Sequence, residues 1–330
     1  MHETRLVSLN GKLIPEADAK ISIYDSALMF GDMVFEMTRS FRKRQFMLEE
    51  HIKRLFIGLN ILRIPVAINE AQLIDECYRV IDANDHLFAA DDEHRLMIDV
   101  SRGVLGIYQG IEGLEKGPNV VVADFPLRWT VAGMGELFDK GINMVITSQR
   151  AIPASLMDPK IKNRSRLWYQ MANIEVSDLP GTNNWPLLLD PDGFVAEGPG
   201  DNFFLVKQGR LFTPEGRNIL RGISRGYIFE LASQLGIEAI ETNIEPYDIY
   251  SADEAFLTAT PFCMLPTTHL NGLPIGEGKS GPIFKALLEQ WSSNVGVDIE
   301  GQIRGYGREN KAGEAPISGS TPYSFKSAKP

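Results

Sequence analysis

The sequence predicts an α+β fold that is divided into two lobes. The chain has 330 residues, of which 44% are hydrophobic and 23% charged, and this length suits roughly two average domains. Short strand-like runs alternate with helical periodicities along most of the chain. The periodicity is lost over residues 126–140. We therefore expect a small N-terminal lobe (1–125), a linker (126–140) and a large lobe (141–300), followed by a flexible tail (301–330) rich in Gly, Ser and Pro.

The elements of the first lobe follow from turn signals and apolar spacing. Asn10-Gly11 is a two-residue turn signal, so it predicts a hairpin between the runs on either side of it. Ile52, Leu55 and Leu59 recur at helical spacing, and Asn69 is a typical N-cap for a second helix. In order, the predicted elements are strands at 5–9, 13–15, 33–41 and 45–48, helices at 49–61 and from 70, and strands at 96–100 and 120–123.

The second lobe is predicted from the same signals. A turn at Pro191-Asp192-Gly193 separates two strands, and Gly222 precedes a helical run. The predicted elements are a strand at 143–147, a helix at 164–177, strands at 187–190, 194–196, 203–206 and 210–213, a helix at 223–235, a strand at 255–258 and a helix at 281–292.

Charge and composition exclude several classes of protein. The net charge of −10 argues against nucleic acid and anionic membranes as partners, since both bind basic surfaces. No apolar run is long enough to span a membrane, and the first residues do not resemble a signal peptide. Cys77 and Cys263 suit two reduced thiols of a cytoplasmic protein. The five histidines show no metal-ligand spacing, so we expect no metal.

Two segments carry residue types that suit covalent and acid–base chemistry. Lys162 lies in a stretch crowded with basic residues, and neighbouring cations favour the neutral amine that a Schiff base requires. A solvated basic loop is the simpler reading of that stretch. Glu197 begins the run Glu-Gly-Pro-Gly-Asp-Asn, where glycines allow the backbone to approach a ligand closely. A hairpin loop with a surface glutamate is the alternative.

Three further segments suit the binding of a phosphate group. Gly222, Ile223 and Ser224 open a helix, where unsatisfied N–H groups and a hydroxyl can bind an anion. Arg54, on the first long helix, can offer a planar guanidinium to phosphate, although it can equally be a surface arginine. Thr260 follows a strand and can add a hydroxyl. Each segment alone can be purely structural.

Taken together and in this order, the five segments resemble the class IV aminotransferases, the pyridoxal 5′-phosphate (PLP) family of fold type IV. The resemblance covers about residues 3–300. It implies two lobes, the larger built around a barrel-like sheet, and a homodimer. It also implies that Lys162 forms a Schiff base with PLP and moves the proton, while Glu197 pairs with the pyridine nitrogen. Arg54, Gly222, Ile223, Ser224 and Thr260 match the cofactor phosphate contacts.

The same resemblance suggests residues around the substrate. Phe35, Arg39, Arg95, Ala259 and Pro261 match positions that line the pocket or hold the substrate carboxylate in branched-chain enzymes. Three departures weaken a direct transfer of roles. Glu93 and Leu167 stand where that pattern has tyrosines, and Pro261 cannot donate the N–H that the family's turn gives to the carboxylate. Arg102 and Tyr108 are two further candidates for holding a carboxylate.

The resemblance implies an aminotransferase that moves an amino group between an amino acid, best a branched-chain or aliphatic one, and a 2-oxo acid. The retained cofactor residues also fit a D-amino acid or (R)-amine transaminase, and a lyase similar to aminodeoxychorismate lyase. A binding protein without activity is the alternative outside the enzymes. It is disfavoured because binding alone needs neither a proton shuttle at Lys162 nor a carboxylate at residue 197.

Overall fold

The computed structural model describes residues 3–181 and 183–308. The chain divides into two compact units, and each is described by itself. Unit 1 contains residues 1–127 together with a short return segment, Ile161–Arg166. Unit 2 contains residues 128–160 and everything from Leu167 onward. The lobe boundaries drawn from the sequence, at residues 125 and 140, remain a prediction.

Unit 1 is built on a five-stranded antiparallel sheet with the strand order β2-β1-β7-β6-β3. Two long helices and a small hairpin, β4-β5, complete it. Its elements are β1 (Leu6–Leu9), β2 (Lys12–Pro15), α1 (Ser26–Phe30), β3 (Met33–Met37), β4 (Ser40–Phe41), β5 (Arg44–Gln45), α2 (Leu48–Leu62), α3 (Glu70–Asn84), β6 (His94–Ser101) and β7 (Asn119–Pro126).

Local sequence signals explain two of these elements well. Asn10 and Gly11 both have positive φ, so they form the tight turn that the dipeptide predicts, and Leu9 pairs with Lys12 across it. The Asn69 side chain accepts a hydrogen bond from the Gln72 N–H, and the Gln72 side chain accepts one from the Asn69 backbone. This reciprocal capping box confirms Asn69 as the N-cap of α3.

The two faces of the unit 1 sheet have different contents. One face packs against α2 and α3 through a core that includes Val34, Leu96, Ile98 and Val100. Side chains alternate along a strand, so the opposite face carries Phe35, Met37, Arg95, Met97 and Asp99. In the β3–β6 register Phe35 lies opposite Asp99, and Met37 lies opposite Met97. This second face is therefore an apolar strip with charged groups at its ends.

The return segment adds a short strand-like piece beside β3. Asn163 forms an antiparallel bridge with Val34, and the Phe35 N–H donates to the Lys162 carbonyl at 2.9 Å. Asn163 is therefore paired with β3 while Ile161 and Arg164 lie in bends, and the helix predicted at 164–177 begins only at Leu167. Helical periodicity alone cannot reveal this, because pairing with β3 is a long-range contact that overrides local propensity.

Unit 2 contains an eight-stranded mixed sheet with the order β12-β11-β10-β13-β14-β8-β9, and β15 pairs with β14. Its strands are β8 (Ile142–Arg150), β9 (Asn184–Leu189), β10 (Asn202–Lys207), β11 (Arg210–Pro214), β12 (Ala239–Thr242), β13 (Glu254–Ala259), β14 (Cys263–Leu270) and β15 (Leu273–Pro274). Its helices are α4 (Arg128–Val131), α5 (Leu137–Lys140), α6 (Leu167–Ser177), α7 (Ile223–Gln234), α8 (Pro246–Tyr250), α9 (Pro282–Val295) and α10 (Ile299–Arg308).

The expected linker and tail contain more structure than their composition indicates. Residues 128–140 form α4, a 3₁₀ turn and α5. Residues 301–308, which fall within the expected flexible tail, belong to α10, because Ile303 and Tyr306 are buried and Arg304 forms ion pairs with Asp139 and Glu300. The rest of the expected tail, 309–330, lies outside the described residues. Within the described ranges, no helix combines the length and hydropathy needed to cross a bilayer.

Candidate active site

Arg54 lies in a buried ion-pair cluster of unit 1. Its Nε and Nη2 atoms donate to the two carboxylate oxygens of Glu36, at 2.6 and 2.8 Å, and Nδ1 of His51 lies 2.7 Å from the same carboxylate. Glu36 is on the core face of β3, and both partners are on α2, one helical turn apart. The Arg54 guanidinium is therefore oriented by a fully buried carboxylate rather than exposed on the surface.

The ionisation of this cluster follows from its burial. Burial alone would raise the pKa of the Glu36 carboxyl, but Arg54 and His51 outweigh it and hold that pKa far below its ordinary value. Burial lowers the pKa of His51, and the positive charges of Arg54 and Lys162 lower it further. Glu36 raises the same pKa, but not enough to offset these effects. A neutral His51 therefore donates its Nδ1–H to Glu36, while Arg54 carries the balancing charge.

Lys162 lies over the ring of Phe35. Its Nζ atom is 4.9 Å from the ring centroid, and the guanidinium carbons of Arg164 and Arg166 lie 3.7 and 5.6 Å from the same centroid. Arg164 also donates to Asp99 through Nε and Nη2, at 3.2 and 2.9 Å. The structure thus brings Lys162 and Phe35 together and surrounds them with two further cations.

The other unit 1 residues that the resemblance associates with the substrate carboxylate occupy varied places. Arg39 is 1% exposed, and its guanidinium lies 3.9 Å from the Phe41 centroid with Nε donating to the Ser40 carbonyl. Arg95 lies on the sheet face that carries Phe35, with Nη2 3.7 Å from the sulfur of Met37. Arg39 is therefore buried in the interior of unit 1, whereas Arg95 lies at one end of the apolar strip.

The two additional candidates have structural partners. Arg102 pairs with Asp32 and donates to the carbonyls of Leu62 and Arg63 at the end of α2, so it caps that helix. Tyr108 stacks against Tyr24, with ring centroids 4.8 Å apart. These contacts account for both side chains without a ligand.

Glu93, which replaces a tyrosine of the branched-chain pattern, holds the turn between β4 and β5. Its carboxylate is buried and accepts from the Ser40 hydroxyl and from the backbone N–H groups of Arg42 and Lys43, the latter two at 2.7 and 2.9 Å. Arg42 and Lys43 both have positive φ, which is costly without glycine. A carboxylate that accepts both N–H groups offsets part of that cost, so residue 93 contributes to the fold here.

Glu197 is the centre of a buried polar cluster in unit 2. It accepts from the Tyr169 hydroxyl at 2.7 Å, from the Asn202 side-chain amide at 2.9 Å and from the Leu220 N–H at 3.0 Å. Tyr169 is on α6 and Asn202 begins β10, so two elements and a loop orient one carboxylate. The arrangement can present a fixed negative charge to a protonated ring nitrogen.

The predicted phosphate-binding helix starts close to this cluster. Gly222 is the N-cap of α7, and no side chain caps the helix. A Cβ atom at residue 222 would lie 2.2 Å from Oδ1 of Asn202, whose amide contacts Glu197, so only glycine fits there. Ile223 and Ser224 are the first two residues of α7, in the positions whose N–H groups have no helical acceptor. The helix start can therefore bind an anion.

Thr260 and Pro261 lie in the turn between β13 and β14. Ala259 ends β13, and Thr258 donates its hydroxyl to the Cys263 carbonyl at 2.6 Å, which closes the turn. Cys263 has positive φ, and Thr260 and Pro261 are half-buried at the tip. No group of three or more metal-binding side chains occurs in the described part of the chain.

Comparison with known proteins identifies the family. The family model for amino-transferase class IV matches residues 33–270. The chain belongs to this family. Its predicted fold class, its assignment as an aminotransferase and its predicted cofactor, PLP, are therefore confirmed.

Two relatives show how much of this class IV aminotransferase is shared. A protein of Methanocaldococcus jannaschii is 34% identical over 287 residues, which are 86% of this chain and 94% of that protein. The branched-chain-amino-acid aminotransferase of Salmonella typhimurium is 31% identical over 286 residues, covering 85% and 89% of the two chains.

Solved structures agree with this membership. The branched-chain amino acid aminotransferase of Escherichia coli superimposes with a TM-score of 0.79 at 28% identity, covering 89% of this chain and 94% of that one. The branched-chain aminotransferase of the thermophilic archaeon Thermoproteus uzoniensis, solved with norvaline, gives a TM-score of 0.76 at 26% identity, with 92% and 97% of the two chains covered.

Several residues of the site carry no sequence signal that predicts a role. Glu36 and His51 are near neighbours of Phe35 and Arg54 in the sequence, but no signal gives them a function, and the same is true of Tyr169. Asn202 lies within the Glu197 motif without an assignment. The spacing of His51 and Arg54 on one helix face could have suggested a shared partner. No local signal connects Tyr169 to Glu197, because the two residues are 28 positions apart.

Proposed function

We propose that this aminotransferase transfers an amino group between an aliphatic amino acid and a 2-oxo acid, with Lys162 as the residue that binds PLP covalently and moves the proton. The observation that carries the proposal is the setting of Lys162. Its amine lies over Phe35 with two arginines around the same ring, next to the apolar strip of the sheet. Nearby cations disfavour an additional positive charge, which favours the neutral amine that this chemistry needs.

The residues of unit 2 fit a pyridine ring with a phosphate group. Glu197 is a buried carboxylate held by neutral donors, and Gly222 leaves space at an uncapped helix start. When bound, PLP supplies a ring that withdraws electrons from the substrate carbon. Glu197 would hold the proton on the pyridine nitrogen. The N–H groups of Ile223 and Ser224, the Thr260 hydroxyl and the Arg54 guanidinium would bind the phosphate.

Lys162 would act as both base and acid at the substrate. Its Nζ atom would remove the proton from the substrate carbon and return it to the cofactor carbon. The Phe35 ring limits the positions that Nζ can occupy, since the amine lies 4.9 Å from the ring centroid. The shuttle needs a single amine that is close to both carbons and shielded from bulk water.

The apolar strip supports an aliphatic side chain as substrate. Phe35, Met37 and Met97 share one sheet face, and thioethers adapt to branched carbon chains. The relatives named for branched-chain amino acids agree with this preference. We propose a cytoplasmic homodimer as the working form, by analogy with the family. A D-amino acid, an (R)-amine or a lyase reaction would use the same cofactor residues.

The decisive experiment replaces the lysine. Lys162→Ala should lose covalent attachment of PLP and reduce amino transfer by more than about 10³-fold, since the variant loses both the anchor and the proton shuttle. Borohydride reduction of the loaded protein, followed by peptide mass spectrometry, should place the cofactor on residue 162. Lys160→Ala is the matched control, because Lys160 is paired with Asp158 at 2.7 Å and has no proposed role.

Two results would contradict the proposal. One is cofactor attached to another lysine, and the other is normal turnover by Lys162→Ala. A half-reaction screen of L- and D-amino acids and (R)-amines, followed by absorbance, would then separate the substrate classes. Release of pyruvate from aminodeoxychorismate without an amino acceptor would indicate the lyase instead.

A further inference from the structure

The sheet face around Phe35 carries more positive charge than the proposed chemistry of Lys162 uses. Arg164 and Arg166 lie over the same ring as Lys162. Neither belongs to the set that we assign to the cofactor. Arg164 is the better defined of the two, because its guanidinium is both stacked and hydrogen-bonded.

The position of Arg164 is fixed on two sides. Its guanidinium stacks on Phe35 at 3.7 Å, and its Nε and Nη2 atoms donate to one oxygen of Asp99. Burial raises the pKa of the Asp99 carboxyl, whereas Arg164 opposes that rise. The third nitrogen, Nη1, has no hydrogen-bond partner among residues 3–181 and 183–308, and the side chain is 34% exposed. One donor of a pre-oriented guanidinium thus points away from its anchor.

Arg164 and Lys162 both reach the ring of Phe35 from the return segment. They flank Asn163, the residue of this segment that bridges to Val34 of β3, so both are anchored beside the strand that carries Phe35. Their functional groups lie 4.9 and 3.7 Å from the centroid of this ring, so Phe35 is a contact that both share. A substrate whose amino nitrogen reacts where Nζ lies carries its carboxylate only two bonds from that nitrogen.

The chain needs a cation for this carboxylate. Pro261 has no N–H to donate at the turn where the family pattern uses one. Arg39 is 1% exposed and Arg102 caps α2, so neither offers a donor to a ligand as they stand. Arg95 lies at the other end of the apolar strip, four residues along β6 from Asp99, which is roughly 13 Å for an extended strand.

We infer that Arg164, held by Asp99 and Phe35, binds the carboxylate attached to the reacting carbon of the substrate. The inference rests on the proposed role of Lys162. The ligand class is a monocarboxylate with an aliphatic chain, whose apolar part lies along Phe35, Met37 and Met97. Because a charged hydrogen bond selects for an ion, the subsite discriminates against the neutral amide of the same acid.

The test measures binding rather than turnover. Calorimetric titration of the PLP-loaded protein with 4-methylvalerate and with 4-methylvaleramide gives a carboxylate-to-amide affinity ratio. Arg164→Gln should weaken the binding of 4-methylvalerate by about 10- to 100-fold, as expected for the loss of one charge-assisted contact. The affinity for the amide should not change. Arg164→Lys should recover part of the preference, since it keeps the charge but not the planar group. Arg79→Gln, which also loses a carboxylate-paired arginine of unit 1, is the control.

The outcomes separate this subsite from the proposed function. Arg164→Gln that still attaches PLP at residue 162 but binds the carboxylate as tightly as wild type would overturn the subsite alone. Weaker PLP uptake with unchanged 4-methylvalerate affinity would also overturn it, because it assigns Arg164 to the phosphate. Failure of cofactor attachment at Lys162 in the wild-type protein would instead remove the proposed function on which the subsite rests.

Discussion

Two buried glutamates, one in each unit, are held in contrasting ways. Glu36 in unit 1 is paired with the Arg54 guanidinium and with His51. Glu197 in unit 2 accepts from three neutral donors, a tyrosine hydroxyl, an amide and a backbone N–H. Charged partners orient the first carboxylate, whereas these three donors to the second are neutral.

The difference separates a structural carboxylate from one that can act on a ligand. Removing the charge of Glu36 leaves a buried guanidinium without its counter-ion, so the folded state should suffer. Removing the charge of Glu197 leaves neutral groups that a glutamine can still satisfy in part, so the chemistry should suffer instead. A Glu36 variant should therefore show its main defect in an unfolding assay, and a Glu197 variant in an activity assay.

The largest expected effect on activity within this comparison is that of Glu197→Gln. The glutamine keeps the shape but cannot hold a proton on the pyridine nitrogen, so amino transfer should fall by about 10- to 100-fold or more. The unfolding midpoint should change little. Stopped-flow half-reactions and thermal unfolding of the loaded protein measure the two quantities. Wild-type half-reaction rates in this variant would show that Glu197 has no role in the reaction. The proposed difference between Glu197 and Glu36 would then be wrong.

The next effect is on stability in Glu36→Gln. Breaking one side of a buried ion pair typically costs about 3–5 kcal/mol, because the remaining charge stays desolvated. Urea unfolding followed by circular dichroism measures the loss. Glu136→Gln provides the matched control, since Glu136 pairs with Lys140 on the exposed surface and should not change the midpoint measurably. If the two variants unfold alike, burial is not what makes the Glu36 pair important.

The smallest expected effect concerns a third buried carboxylate, Asp124, whose Oδ2 lies 2.8 Å from Nδ1 of His94. Burial raises the pKa of Asp124 to about 6, although His94 opposes the rise. The folded protein therefore binds the additional proton between about pH 4 and 6, so stability should fall as the pH rises through that window.

Urea unfolding of wild type and Asp124→Asn between about pH 4 and 6 measures this contribution. The slope of unfolding free energy against pH should be more negative in wild type than in the asparagine variant, which has no proton to lose at this position. Equal slopes in both proteins would show that other groups control stability in this range. The result would also show whether the carboxylate of Asp124, like that of Glu36, contributes to the stability of the folded state.

Much of the fold can be predicted, and cofactor contacts can be proposed, because the signals are local. The Asn10-Gly11 turn, the Asn69 cap and the helix start at Gly222 each depend on a few neighbouring residues. The predicted start of α6 is three residues too early, since the pairing of Asn163 with Val34 of β3 is a long-range contact. The function of Glu93 is equally hidden, because the N–H groups that donate to it in the β4–β5 turn lie about fifty positions away in the sequence.

Partners of the site residues also cannot be read from the sequence. From the sequence alone, a charged residue such as Arg54 can be interpreted as a phosphate contact or as a surface group, because its neighbours in space are not known. Glu36, 18 positions away, decides how the guanidinium is oriented. The roles proposed for the cofactor contacts therefore stay predictions, whereas the family and the cofactor follow from the comparisons.

The return segment has a consequence for how the molecule folds. Lys162 is placed beside a strand that ends 125 positions earlier in the chain, so no autonomous fragment of residues 1–127 can contain the reactive amine. Closing so long a loop is slow, because chain entropy must be lost before the strand pairing stabilises it. A nascent chain therefore acquires its proposed nucleophile only after much of the polypeptide has been synthesised, and a truncated translation product that ends before the return segment cannot capture aldehydes at this position.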